Sequence, residues 1–379
     1  MRFQIGIVGI GKIAQTYFKV LRRIPNVQIT FLCDIIPEQM KKAEHAFPDL
    51  LADVPHFSST DEAFDSGIKP DAVLIATPLN THFMLSERVL RRGRRVLLEK
   101  PSVSTLDELA KLYALAQKHQ TRYQTMFHFA YAPEVERFAS LKPQIERHLG
   151  PLRAFACDFQ DPAVSGTLLT ISPRKLGGSY LSSGVNALSV LNRAVDLSQL
   201  QVVSHQCRQI SGLIDRNNEK VVPEVDTSSI TEYATNSSAP AFLPSKAHPS
   251  ESNSIPTPLT GIIRTDWEQN WNFKSTLLIF QYGTVLLDHT TQSVVLNAFS
   301  PEGFTPKFRE FPMEKIAEAI SPNKTASQIT FHCANQISRQ EREYETMFRH
   351  HFFHPEVPEL AQKQDFKIHE LLLNPIPRN

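Results

Sequence analysis

The stretch Phe3-Gln4-Ile5-Gly6-Ile7-Val8-Gly9-Ile10-Gly11-Lys12-Ile13-Ala14 decides the fold. Phe3 to Val8 is an apolar, β-branched run of strand length, and Gly9-Ile10-Gly11 then turns the chain into an amphipathic helix. Gly9 permits the tight turn, Gly11 lets the backbone approach a pyrophosphate, and Ala14 is a third small residue that lets helix and strand pack closely. The N–H groups at the start of that helix suit an anion. Gly9, Gly11, Lys12 and Ile13 are therefore cofactor-binding candidates. A second strand, 28–33, ends in Asp34, twenty residues past Ala14. A carboxylate there can accept the ribose hydroxyls of NAD and repels a 2′-phosphate. No arginine or lysine follows before Lys41, so NAD is favoured over NADP. The plainer alternative is that Asp34 caps the next helix.

A chain of 379 residues exceeds one ordinary core, so two domains are expected. The formal net charge of +1, with alternating signs along the chain, argues against nucleic acid and against an acidic membrane surface as partners. No apolar run is long enough to span a bilayer, and the N-terminus enters a strand with no signal-peptide core before it. Cys33, Cys157, Cys207 and Cys333 stand far apart with no CxxC pair. A reduced, cytoplasmic protein without a metal centre is the expectation.

Strand and helix alternate through residue 124, as a doubly wound parallel sheet requires. Helices are predicted over 37–46, from a Ser59-Thr60-Asp61-Glu62 start, over 79–91 and over 105–119; strands are predicted over 72–76, 95–98 and 123–127. After an interval rich in Ser, Thr, Pro and Asn, 226–260, the sequence alternates again as antiparallel strands around a Tyr282-Gly283 turn. The expected division is a Rossmann domain, 1–124, and a substrate and oligomerisation domain, 125–379, with 226–260 as a flexible insertion.

Two loops follow strand ends on the edge where dinucleotides bind. One is Ala76-Thr77-Pro78-Leu79-Asn80-Thr81-His82; the other is Glu99-Lys100-Pro101, where the proline keeps Lys100 extended. With VGIGKIA, these motifs resemble the glucose–fructose oxidoreductase / inositol dehydrogenase (Gfo/Idh/MocA) family. The resemblance implies that Thr77, Pro78, Asn80, His82, Glu99 and Lys100 lie at the cofactor. It also implies that Lys100 sits beside nicotinamide and substrate and takes part in catalysis. His128-Phe129-Ala130-Tyr131-Ala132-Pro133 and Ser182-Ser183-Gly184-Val185-Asn186-Ala187-Leu188-Ser189 are similar to the L-arabinose and D-galactose 1-dehydrogenase branch, which reads FDPGINALS at the latter place. Thr265-Asp266-Trp267 and Glu343-Tyr344-Glu345-Thr346-Met347-Phe348 extend the likeness. This likeness implies an α+β second domain with a large, mainly antiparallel open-faced sheet, a sugar or polyol substrate, and a homodimer or homotetramer.

Sugar oxidation sends a hydride to NAD and needs an acceptor for the hydroxyl proton; a positioned base contributes about 10²–10⁴-fold. By the resemblance, Asn186 orients the hydroxyl and Ser182 stands where the branch has its aspartate. A serine hydroxyl cannot serve as that base unaided. Three accounts stay open. The base has moved, to Asp158, Asp161 or a neutral Lys100; or the substrate gives up its proton more easily; or the protein is a dinucleotide-dependent sugar sensor. Gln160, near the position of a second branch carboxylate, also makes the pocket less acidic. His128 is a candidate for the pocket lining. His350, His351 and His354 are read as closing a helix before Pro355, and Arg91-Arg92-Gly93-Arg94-Arg95 as a solvated helix end.

Overall fold

The computed structural model describes residues 2–165, 168–169, 178–210, 212, 214, 226–235, 258–298, 328–333, 337–353 and 358–374. These divide into two units.

The first unit runs in the order β1 (Phe3–Val8), α1 (Lys12–Leu21), β2 (Val27–Cys33), α2 (Pro37–Ala46), α3 (Pro48–Leu51), β3 (His56–Phe57), α4 (Thr60–Asp65), β4 (Ala72–Ile75), α5 (Leu79–Arg91), β5 (Arg95–Glu99), α6 (Leu106–Lys118) and β6 (Tyr123–Met126). Its six strands lie in the order β3-β2-β1-β4-β5-β6 and every pairing is parallel. Period-2 alternation splits the strands' apolar side chains into two cores. Ile5, Ile7, Leu32, Leu74 and Leu97 join α1 and α2 on one face, while Val8, Phe31, Val73, Ile75 and Leu98 join α5 and α6 on the other. Each buried side chain of this size contributes about 1.5–3 kcal/mol. The helix starts follow local chemistry. Ser59 accepts the Glu62 N–H ahead of α4, and Thr105 with Glu108 forms a reciprocal capping box ahead of α6.

The second unit contains α7 (Pro133–Leu149), β7 (Leu152–Gln160), β8 (Val164–Ser165), β9 (Leu168–Leu169), a π-turn at Tyr180–Gly184 running directly into α8 (Val185–Ala194), and β10 (Leu200–Arg208). Then come β11 (Ser228–Thr235), β12 (Thr260–Asp266), β13 (Phe273–Phe280), β14 (Gly283–Asp288), β15 (Ser293–Ala298) and β16 (Gln328–His332). Eight of these form a sheet in the order β10-β11-β12-β7-β13-β14-β15-β16, antiparallel except where β12 runs parallel to β7. In β13 and β14 buried residues alternate with more exposed ones, and α7 packs on β14 and β15. The fold class is thus a doubly wound α/β unit followed by an α+β unit with a mainly antiparallel sheet.

Two boundaries differ from the sequence expectation. The first unit continues past 124 through β6 to Tyr131, and it takes back α9 (Arg339–Phe353) and α10 (Pro358–Leu373). Tyr344, Met347, Phe348 and Phe352 on one face of α9 enter the same core as Tyr17 and Phe18. Periodicity marks α9 as amphipathic but does not say which sheet it covers. Within the expected insertion, Ser228–Thr235 is strand β11, paired on both edges by β10 and β12. Its alternation of buried and exposed residues hides in a Ser/Thr-rich composition. Residues 236–257, most of the rest of that interval, lie outside the described residues, as does His354.

Candidate active site

The cofactor candidates of the first unit gather at the carboxyl ends of β1, β2, β4 and β5, around the point where strand order reverses between β2-β1 and β1-β4. Gly9 is left-handed at φ +87°, and a Cβ there would stand 2.7 Å from the Ala76 carbonyl oxygen. Gly11 is exposed, and a Cβ on it would meet nothing within 4 Å. Among the described residues its smallness serves no packing. The exposed Lys12 and the half-buried Ile13 form the first turn of α1.

Asp34 closes this loop. Its Oδ2 accepts the Ile10 N–H at 2.6 Å and its Oδ1 accepts the Ile36 N–H at 2.8 Å. Each carboxylate oxygen keeps a further lone pair for ribose hydroxyls. Next to it Ile35 is 85% exposed, the most exposed large apolar side chain described.

The 76–82 and 99–102 loops are tied together by His82. This residue is buried, its Nε2–H donates to the Thr77 carbonyl at 2.8 Å, and its Nδ1 lies 3.1 Å from the Pro101 carbonyl. Burial pushes its pKa down, against the pull of these carbonyls. Thr77 and Thr81 share a hydroxyl hydrogen bond of 2.7 Å at the start of α5, beside Pro78 and the exposed Asn80. Glu99 is buried at the end of β5, and its Oε2 accepts the Lys100 N–H at 3.0 Å. The half-buried Lys100 then enters a cis peptide with Pro101.

In the second unit the π-turn Tyr180–Gly184 carries Ser182 and Ser183, and α8 opens with Asn186 in its first turn. A π-turn inserts one extra residue per turn and aims side chains off the regular helical rows. Asp226 anchors its start: its Oδ2 accepts the Ser179 hydroxyl and, at 2.8 Å, the Tyr180 N–H. Gly178 just before is left-handed at φ +100°, and a Cβ there would collide with the Asp226 carboxylate. Burial pushes the Asp226 pKa up, against the pull of these donors. Ser182 is 8% exposed and Asn186 6% exposed. The Asn186 side-chain amide makes no hydrogen bond among the described residues.

Asp158 lies in β7 and Asp161 directly follows that strand. Asp161 Oδ2 accepts the Ser183 hydroxyl at 2.9 Å, and its Oδ1 accepts from Lys274 Nζ at 2.6 Å. The buried Lys274 ammonium also donates to the Gln160 carbonyl at 3.3 Å and to Asn272 Oδ1 at 2.6 Å, so its three donors are all used. Asp158 behaves otherwise. Phe159 on its one side and Cys157 on the other are buried, so alternation turns Asp158 to the opposite face of the sheet. There it pairs with Arg264 at 3.6 Å and accepts from Gln160 Nε2 at 2.9 Å, while burial pushes its pKa up. Of the two aspartates, the structure brings Asp161 to the motif. Lys274→Met is expected to destabilise the protein by about 2–4 kcal/mol, because it strands a partly buried carboxylate. Urea denaturation checks this, and Lys274→Met with Asp161→Asn is expected to recover part of the loss.

Residues 3–127 match the family model GFO_IDH_MocA, described as an oxidoreductase family with an NAD-binding Rossmann fold. Residues 3–127 are thus similar to the NAD-binding domain of that family. The chain is 26% identical over 187 residues to the rhizopine catabolism protein MocA of Rhizobium meliloti, which is 49% of this chain and 55% of that protein. The match thus spans only about half the length of that relative. Among solved structures, GenD2 from gentamicin A biosynthesis, in complex with NAD, superposes with a TM-score of 0.67 at 16% identity, over 98% of this chain and 92% of that one. The 3-ketoreductase KijD10 of Actinomadura kijaniata, with NADP and TDP-benzene, gives 0.71 at 16% identity, over 99% and 97%. The fold of these two structures therefore extends over nearly the whole chain.

His128 is buried, its Nδ1 within 2.8 Å of Glu343 Oε2 and its ring stacked on Tyr344. Its ring thus packs against α9. His350 and His351 do end that helix, and among the described residues no three His, Cys, Asp or Glu side chains are grouped to hold a metal. Arg91 and Arg92 pair with Glu87, Asp61 and Asp65, whereas Arg95 is buried against Gln124. The four cysteines form no disulfide among the described residues, and no described helix is long and apolar enough to cross a membrane. Asp226, Lys274, Tyr17 and Tyr344 had no sequence signal, since each acts through a partner more than 40 residues away.

Proposed function

We propose that the protein is an NAD-linked dehydrogenase that moves a hydride between the nicotinamide and a hydroxyl-bearing carbon of an aldose or related polyol. The observation that carries this reading is the Gly9–Gly11 turn closed by the Asp34 carboxylate. Pyrophosphate takes the N–H groups at the start of α1, the ribose hydroxyls take Asp34, and Ile35 offers an apolar face to the adenine. Lys100 is the residue of this unit assigned to the chemistry, where an ammonium polarises an oxygen and a neutral amine takes its proton.

In the second unit Asn186 orients the substrate hydroxyl through its uncommitted amide. Asp161 supplies the carboxylate that the branch places at position 182, acting through Ser183 and Ser182 as hydroxyl relays. The chemical likeness is to the arabinose and galactose dehydrogenases, but the hydroxyls at 182 and 183 and the amide at 160 fit a substrate whose binding needs fewer acidic contacts. A homodimer or homotetramer and a cytoplasmic setting complete the reading.

The test is NAD⁺ reduction at 340 nm across aldoses, uronates and inositols. Turnover on one class names the substrate. No turnover on any, with NAD⁺ binding intact by calorimetry, replaces this reading with the sugar-sensor one, which the serine at 182 favours. Asp34→Ser is expected to weaken NAD⁺ binding by about 10-fold and to raise the NADP⁺/NAD⁺ affinity ratio at least as much, since the carboxylate both binds the diol and repels the 2′-phosphate. An unchanged ratio in calorimetry would remove Asp34 from the ribose site.

A further inference from the structure

Two tyrosines in the first unit converge on one carboxylate beside Lys100. Tyr17, on the helix that begins at the dinucleotide loop, donates its hydroxyl to Glu99 Oε1. Tyr344, on α9, donates to the same oxygen at 2.7 Å. Both rings are buried, at 0% and 1% exposure, and they meet edge to face with centroids 5.2 Å apart. The other oxygen of Glu99 holds the Lys100 N–H at 3.0 Å. On the far side of Lys100, the His82 ring lies 3.1 Å from the Pro101 carbonyl.

Each contact has a physical cost that packing alone does not explain. Phenylalanine would fill either ring's place without a polar atom to satisfy, and a buried carboxylate is costly unless its lone pairs are used. Two phenols on one oxygen fix the rotation of the Glu99 carboxylate and leave its second oxygen aimed at the Lys100 backbone. We propose that Tyr17 and Tyr344 are positioning residues for Lys100, acting through Glu99 to fix the backbone and the local charge at the lysine. The inference rests on the assignment of Lys100 to the chemistry. It adds that α9, from the far end of the chain, is part of that machinery. The charged and titratable groups around Glu99 are Tyr17, Tyr344, Lys100 and His82, with Glu343 and His128 behind Tyr344.

The first readout needs no substrate. The lysines are reductively ¹³C-methylated, the Lys100 signal is assigned by its loss in Lys100→Arg, and its titration is followed by NMR in the wild type, in Tyr344→Phe and in Tyr17→Phe/Tyr344→Phe. Losing both phenols frees the Glu99 carboxylate to turn away from Lys100, so the lysine loses an adjacent anion held in place. Its titration midpoint is expected to fall by about one pH unit in the double variant and by less in Tyr344→Phe. If the double variant does not fold, the single variant decides. A Lys100 titration superposable on the wild type overturns the proposal. A second readout separates it from simple destabilisation: Tyr344→Phe should lower kcat in the wild type and have no further effect in Lys100→Ala. An equal loss in both backgrounds means a structural role only. Turnover undiminished in Lys100→Ala would instead overturn the proposed function, while the titration would still report on the clamp.

Discussion

Lys100→Ala is expected to lower kcat by about 10²–10⁴-fold, the range for losing a positioned proton-transfer or oxyanion-stabilising group. The Kd for NAD⁺ should stay within a few-fold of wild type, because the cofactor contacts assigned to the Gly9–Gly11 turn and to Asp34 do not involve this side chain. The fold should also persist. The lysine is half-buried, and it is its backbone N–H that Glu99 holds, which alanine retains. Single-turnover kinetics with calorimetry on the same preparation separates the effects. A variant that loses turnover and NAD⁺ binding together would place Lys100 in the cofactor site alone. Lys100→Arg is a useful companion, since it keeps the charge but cannot become a neutral amine.

Gly9→Val is expected to be strongly destabilising. At φ +87° a β-branched residue is strained, and its Cβ would stand 2.7–2.8 Å from the Ala76 carbonyl and the Thr77 methyl. The turn cannot yield easily: the Gly9 N–H donates to the Cys33 carbonyl at 2.9 Å, and the Ala76 N–H donates to the Val8 carbonyl at 2.8 Å. The expected destabilisation is about 3–5 kcal/mol, combining backbone strain with overpacking. NAD⁺ affinity should fall by at least about 100-fold, through the misplaced N–H groups. Gly11→Ala makes the contrast. With nothing within 4 Å of its Cβ, it should leave the melting temperature almost unchanged and still weaken NAD⁺ binding. A loss of stability at Gly11 equal to that at Gly9 would mean the second glycine serves the fold and not a ligand.

Much of the first unit is legible in the sequence because its signals are local. Proline at 37, serine at 59 and the Thr105/Glu108 pair mark helix starts within a residue of where they occur, and α2 and α5 fall on their predicted spans. Gly9, Gly11 and Asp34 sit at the ends of β1 and β2 because a βαβ crossover leaves them no other place. The second unit is read less well. Strand β11 is encoded by alternation among Ser, Thr, Tyr and Glu, which composition alone makes look like a linker. The return of α9 and α10 to the first unit depends on complementarity between Tyr344, Phe348 and Tyr17, partners far apart in the chain. In the site, the motif positions Ser182 and Asn186 are local and visible. Their supports are not: the Asp161–Lys274 and Ser179–Asp226 bonds span 113 and 47 residues. Asp158 and Asp161 look equivalent in sequence, and only strand alternation together with the bond to Ser183 separates them.

The most direct test of hydride transfer uses aldoses deuterated at C1. The protein is incubated with NAD⁺ and a mixture of such sugars, and the reduced cofactor is analysed by mass spectrometry. NADH carrying deuterium at C4 of the nicotinamide, formed by wild type and not by Lys100→Ala, is the result the account predicts. Absence of labelled NADH from the wild type, with NAD⁺ bound, would contradict it.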